Sequence, residues 1–140
     1  WLANNYWNPN MVTTHNPKSL FNTDLCGGLP AIIIKMLVDS QPGWIELLPA
    51  LPKQWPNGAI QGVRCRGQIE LRSLAWDGSQ IRVTLRSDVT QKIRLKIAGG
   101  IQAIEVKQGP RSVIEATSDG EGQVLRLSAG REVALTIIRK

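Results

Sequence analysis

Few residues in this 140-residue chain have the types and spacing that chemistry needs. The only histidine is His15. No cysteine nucleophile or evident serine partner stands near it, so a catalytic triad does not assemble from this chain, and a histidine held in a loop by hydrogen bonds is the simpler expectation. The two cysteines, Cys26 and Cys65, lie far apart. With a single histidine they fall short of a zinc ligand set. Two free, buried thiols are the plain reading, and a disulfide between them is the alternative. Asp24 stands just before Gly27-Gly28-Leu29-Pro30. Its carboxylate is a candidate helix N-cap or a candidate catalytic group. Gly27-Gly28 could cradle an anion at a helix start, but close packing explains them equally well. No phosphate loop or dinucleotide fingerprint is present, so no cofactor and no metal are expected.

Two further groups suggest binding. Trp44, Trp55 and Trp76 could form a sugar-stacking platform, as in a non-catalytic carbohydrate-binding module. Core or interdomain packing is the competing role for each. The charge is +6, from 17 Lys and Arg against 11 Asp and Glu. Residues 1–43 are neutral, with Lys18 and Lys35 against Asp24 and Asp39, so the excess is all downstream. Arg82, Arg86, Lys92, Arg94 and Lys96 are expected on the outward side of one hairpin. Nucleic-acid readers interleave such cations with stacking aromatics. This hairpin has none, so a solvated face is expected and nucleic acid is not. No apolar run approaches the roughly 20 residues of a membrane span; the longest, Ala31 to Val38, is broken by Lys35. No membrane partner is expected.

The elements that must position these residues divide in two. Residues 1–25 are rich in Asn, Pro and Thr, with aromatics at Trp1, Tyr6, Trp7 and Phe21, and read as an ordered loop that needs a partner surface. The stretch Ala31 to Ser40 is expected to be a helix with Pro30 in its first turn and Pro42-Gly43 as its stop; β-branched Ile32 to Ile34 make a strand the competing assignment. A helix so apolar all round belongs inside a larger protein. The chain opens at Trp1 with no initiator Met and no signal-peptide pattern, and reads as a piece of a longer polypeptide. From Trp44 the pattern changes: a linker strand, a Pro-rich loop with a turn at Asn57-Gly58, then period-two segments. Ile69 and Leu71 point one way and Leu74 and Trp76 the other, with a slip at Ser73 that suggests a β-bulge. Asp77-Gly78 marks a hairpin. Ile81, Val83, Leu85, Ile93, Leu95 and Ile97 alternate with polar residues, and further strands are expected near 103–107, 123–128 and 132–138. The fold class is mostly β: an antiparallel β-sandwich over 44–140, preceded by a loop and one helix over 1–43.

The stretch Ile45-Glu46-Leu47-Leu48-Pro49-Ala50-Leu51-Pro52, followed by Trp55-Pro56-Asn57-Gly58 and by Gly62-Val63-Arg64-Cys65-Arg66-Gly67, resembles the segment that ends the catalytic domain in family 95 glycoside hydrolases. Trp76-Asp77-Gly78 also fits, and so do Phe21-Asn22-Thr23-Asp24 and the helix that follows. The resemblance is strong over about 20–87 and is at the level of fold beyond. It implies a parent enzyme acting on α-L-fucosides or related sugars, with an (α/α)6-barrel catalytic domain upstream and a β-sandwich at its C-terminal end. On that basis residues 1–43 are the last piece of the barrel. The partners implied are the upstream barrel of the same polypeptide and, through it, an oligosaccharide, and the location implied is periplasmic or secreted.

The family's reaction inverts the anomeric centre. A glutamic acid protonates the leaving oxygen, an aspartate acts on the base side, and asparagines orient the water. Inversion places the two carboxyls about 6.5–9.5 Å apart, to leave room for that water. The aspartate lies in a pattern near HPPFQIDGNFG, which Lys18-Ser19-Leu20-Phe21-Asn22-Thr23-Asp24-Leu25-Cys26-Gly27-Gly28 matches in part. Asp24 is therefore the position that the resemblance assigns to the general base. Lys18 stands where the family has His, Leu25-Cys26 stand where it has Gly-Asn, and His15 is three residues out of register. The general acid and the water-holding asparagines are expected upstream, outside this chain, so the chain alone is expected to be inactive.

Overall fold

The computed structural model describes Thr14, residues 23–116 and residues 122–140, with side chains from Gly27 onward in the first long stretch. Among the described residues one α-helix, α1 (Thr23–Leu37), precedes ten strands: β1 (Val38–Gln41), β2 (Trp44–Leu47), β3 (Asn57–Cys65), β4 (Ile69–Asp77), β5 (Gln80–Ser87), β6 (Gln91–Ile97), β7 (Ile101–Gln108), β8 (Ile114–Glu115), β9 (Gln123–Leu127) and β10 (Glu132–Arg139). The chain divides into two units, residues 1–35 and 36–140. The second is a sandwich of two five-stranded sheets, ordered β1-β2-β6-β9-β8 and β3-β4-β5-β10-β7. The expected class, mostly β with one helix in front, is what the structure shows.

The helix differs from its expected bounds. It starts at Thr23 rather than Ala31 and ends at Leu37 rather than Ser40. Val38–Gln41 is instead the first strand, paired antiparallel with β2 through Val38↔Leu47 to Gln41↔Trp44. Pro42-Gly43 is thus the turn of a hairpin, with Gly43 at φ 88°, and not a helix stop. The sheet-bearing part accordingly begins at Val38, before the expected boundary at Trp44. The carbonyls of Met36 and Leu37 accept from the N–H groups of Ala50 (3.1 Å) and Leu48 (2.8 Å), so two backbone acceptors at the end of the helix are satisfied.

Alternation places the core. Ile69, Leu71, Ile81, Val83, Leu85, Ile93, Leu95 and Ile97 are all buried, as their spacing implies, and join Ile45, Leu47, Leu125, Leu127, Val133, Leu135 and Ile137 in one interior between the sheets. Burying one such Leu, Ile or Val contributes about 1.5–3 kcal/mol. The slip in β4 is a bulge, and it corrects the expected facing of its residues. Leu71 pairs with Leu85 and Ser73 with Thr84, which leaves Arg72 as the extra residue. Gly62 lies across from it on β3 at φ 71°, between the pairs Gln61↔Ser73 and Val63↔Leu71. The bulge turns Leu74 and Trp76 to the same side as Ile69 and Leu71, and all four are buried. It also aims Arg72 outward, where its guanidinium meets Glu132 at 3.2 Å and Glu70 at 3.5 Å.

The pairing is antiparallel throughout the named strands except between β2 and β6, which run parallel from Trp44↔Arg94 to Leu47↔Ile97. The basic hairpin expected from the alternation does not exist. β5 lies in one sheet and β6 in the other, so Arg82 and Arg86 are separated from Lys92, Arg94 and Lys96 by the whole core. The reason is Ser87–Thr90, which carries the chain across the sandwich instead of turning it within a sheet. Much of this charge is paired. Arg64, Glu70, Arg86 and Glu132 lie side by side on four successive strands, alternating in sign. On the other sheet Lys92 and Arg126 are direct cross-strand partners, an unfavourable pairing of like charges. Glu115 resolves it: its carboxylate meets Lys92 Nζ at 2.9 Å and Arg126 Nη2 at 2.6 Å.

Lys92 first, and Arg126 with it, hold the Glu115 carboxyl below the usual carboxylate range. A lowered folded-state value adds stability above the unfolded value and loses it as pH falls through the folded one. Glu115→Gln is therefore expected to lower the urea midpoint at neutral pH, with the gap to the unaltered protein closing on acidification. A gap that stays constant into acid would show that the charge of Glu115 is not the cause.

Candidate functional site

Asp24 is the second residue of α1. Its backbone is thus inside the first turn rather than at an N-cap ahead of the helix, a position where a carboxylate favours the positive end of the helix dipole. Its side chain, like that of Cys26, lies outside the described residues, as do His15, Lys18 and Phe21. Gly27 and Gly28 are helical. In an α-helix their N–H groups turn toward carbonyls four residues back, so the anion cradle suggested for them is not formed. Pro30 is likewise interior to the helix and not at its start. Lacking an N–H, it leaves the Cys26 carbonyl without its usual partner within the helix. Beyond it, Ile32 is 59% exposed and Ile34 39% exposed.

Cys65 is a free thiol at the end of β3, buried. Burial pushes the thiol up, offset in part by hydrogen bonds with Ser40 and the Leu71 backbone. Such a thiol is a structural group rather than a nucleophile. Among the described residues no group of three or more His, Cys, Asp or Glu is placed to hold a metal ion.

The three tryptophans are not one platform. Trp76 is in the core. Trp44 opens β2, between β1 and β6 in the other sheet, with Lys96 Nζ 5.6 Å from its ring centroid. Trp55 is 37% exposed on the Pro-rich loop. What the structure does bring together is Trp55-Pro56-Asn57-Gly58 and Trp76-Asp77-Gly78. The Trp76 indole N–H donates to the Trp55 carbonyl at 3.0 Å. The Gly78 N–H donates to the Pro56 carbonyl at 3.0 Å. Gly58, paired with Trp76 across β3 and β4, presents a bare backbone to the six-membered half of its indole. A Cβ there would meet Trp76 Cζ2, and would stand 2.8 Å from Cη2. The residues of the motif thus act on one another: two carbonyls accept, one ring fills the space between the sheets, and one glycine lets that ring in.

A glycoside hydrolase family 95 C-terminal domain model matches residues 39–135, which is most of the chain and nearly the whole sandwich. The chain belongs to this family. Alpha-L-fucosidase 2 of Arabidopsis thaliana is 36% identical to it over 102 residues, covering 71% of this chain and 12% of that enzyme. The chain thus spans a small part of the relative's length. The match to the family 95 C-terminal domain opens inside β1 and closes inside β10, and does not reach Asp24.

Sequence reasoning missed Gly58 as a packing residue, reading Asn57-Gly58 only as a turn. The signal was the recurrence of Trp-Pro-Asn-Gly ahead of a second Trp-Asp-Gly. It also passed over Gly122, where a Cβ would stand 2.5 Å from the Leu95 carbonyl oxygen. Gly58→Ala in the family 95 domain is expected to destabilise it by about 1–3 kcal/mol, the usual cost of overpacking. Chemical denaturation reads this directly, and an unchanged midpoint would mean that Trp76 yields without cost.

Proposed function

We propose that this chain is the C-terminal structural part of a glycoside hydrolase whose chemistry is done by an upstream helical barrel, and that the whole enzyme is an inverting exo-glycosidase on α-L-fucosides or related sugars. The observation that carries the structural role is the engagement of the family motif in closing the sandwich. Its carbonyls, ring and glycine are occupied with one another. The name of the Arabidopsis relative supports the fucoside class. The apolar, exposed helix α1 supports a helical partner upstream on the same polypeptide, since Ile32 and Ile34 gain by burial. A periplasmic or secreted location is part of the same proposal and rests on the family alone.

In this reading Asp24 supplies the base. Its carboxylate would take a proton from the attacking water while a glutamic acid on the barrel protonates the leaving oxygen, and the anomeric centre inverts. One carboxylate cannot perform both transfers, so the chain by itself has no turnover. Assay of the purified chain with aryl α-L-fucoside and aryl α-L-galactoside is expected to show none. Turnover that follows the chain through purification would overturn the proposal. For the polypeptide extended upstream, the first sugar released from an α-L-fucoside should be the β-anomer by NMR.

Asp24→Asn in that longer enzyme separates the catalytic role from a helix-terminal one. General-base catalysis typically contributes about 10²–10⁴-fold, so a loss of that order in kcat is expected, with little change in melting temperature. Asn serves nearly as well as Asp at a helix start. Unaltered turnover in the Asn variant would remove Asp24 from the reaction.

A further inference from the structure

Asn57 is the only asparagine after residue 22 and the only one of the chain's asparagines followed by glycine. It is exposed, and it opens β3 directly opposite Asp77, which is also exposed. We infer that Asn57-Gly58 is a site of spontaneous deamidation which the fold holds back, and that the product works against closure of the same end of the sandwich. The reaction needs no catalyst. The Gly58 backbone nitrogen attacks the Asn57 side-chain carbonyl carbon, ammonia leaves, and a five-membered succinimide forms. Water then opens the ring at either carbonyl, to aspartate or to isoaspartate. A following glycine offers the attacking nitrogen the least steric hindrance.

In the folded chain the geometry opposes the first step. Asn57 and Gly58 are both in β3, and an extended backbone carries the Gly58 nitrogen away from the Asn57 side-chain carbon. Ring closure requires rotation between the two residues. That rotation is resisted by the seat of Gly58 against the Trp76 ring and, on either side, by the bonds from Trp76 Nε1 to the Trp55 carbonyl and from Gly78 N to the Pro56 carbonyl. The reaction therefore runs through local opening of this end of β3.

Once it has run, reclosing is harder. Aspartate at this position places a second carboxylate across from Asp77, and like charges directly opposite in an antiparallel pair are destabilising. Isoaspartate does more, because it routes the main chain through the side chain, adds a backbone carbon and moves Gly58 off the Trp76 ring. Each modified molecule is thus left with a looser β3–β4 end than it started with.

The test is prolonged incubation of the chain at mildly alkaline pH, with peptide mapping for exchange of the Asn57 amide nitrogen for oxygen and labelling by a protein isoaspartyl methyltransferase. The reaction at Asn57 is expected to be at least about tenfold slower in the native chain than in urea, the protection that a modest local opening cost gives. Trp76→Leu, which keeps Asn57-Gly58 but removes the ring, should bring the rate in buffer up toward the rate in urea, whether it loosens only this end or unfolds the chain. Asn57→Asp should melt below Asn57→Ser, and adding Asp77→Ser should close that gap. Equal rates in buffer and urea, or no reaction at Asn57 in urea, would overturn the inference. So would a Trp76→Leu rate equal to that of the unaltered chain, or equal melting of Asn57→Asp and Asn57→Ser.

Discussion

Two sheets closed over one apolar interior impose a strict condition on the chain: each time it passes from one sheet to the other, its polar backbone must cross the edge of a dry space. After β5 it does so at Ser87, which is fully buried. Its hydroxyl donates to the Val89 carbonyl at 2.6 Å and accepts from Gln91 Nε2 at 2.7 Å, while the same Gln91 amide donates to the Gly67 carbonyl at 2.7 Å. The Ser87 carbonyl accepts from Gly130 N at 2.7 Å, where β9 passes back toward β10. Both crossings at this end are therefore held by one small residue. An apolar side chain there would take the donor from the Val89 carbonyl and leave Gln91 Nε2 with the Gly67 carbonyl alone, where a buried group left unpaired costs about 1–3 kcal/mol. The order of strands in each sheet depends on such points.

What was legible in the sequence follows from the same physics. Period-two alternation reports which side of a strand is dry, so Ile81, Val83 and Leu85 on β5 and Ile93, Leu95 and Ile97 on β6 were placed in the core from sequence alone. Alternation says nothing about which sheet a strand joins, and for that reason the cations of β5 and β6 were wrongly set side by side. β1 was hidden because Val38–Gln41 is short and continues an apolar helix without a break. β3 was hidden because Ile60 and Val63 are out of phase across Gly62, whose positive φ opposite the bulge residue Arg72 breaks the period that a strand is recognised by. Asp24 was singled out as a candidate base only through resemblance. One Asp near a helix start carries no local pattern that distinguishes an orienting charge from a base.

The family motif shows how a long, specific sequence pattern can serve packing. Trp55, Pro56, Gly58, Trp76 and Gly78 each have a partner within the group: Trp55 and Pro56 through their carbonyls, Gly78 through its N–H, and Gly58 and Trp76 through the fit of backbone against ring. The family match over residues 39–135 thus takes in the residues that close one end of the sandwich.

The parallel pairing of β2 with β6 bears on how the sandwich is assembled in time. The hairpin β1–β2 can form early, but Ile45 and Leu47 find their neighbours only when β6 arrives, after the three strands of the opposite sheet have been made. Parallel pairs close long loops, and structures rich in distant contacts fold slowly. During that interval the hairpin has an unpaired strand edge beside β2 and an apolar face. Pro42 and Gly43 keep the hairpin short, and in the stretch Pro49 to Pro56 that follows three of eight residues have no backbone donor to offer a neighbouring chain. The composition that looks like a linker on paper also serves as a guard against wrong pairing while the domain waits for its second half.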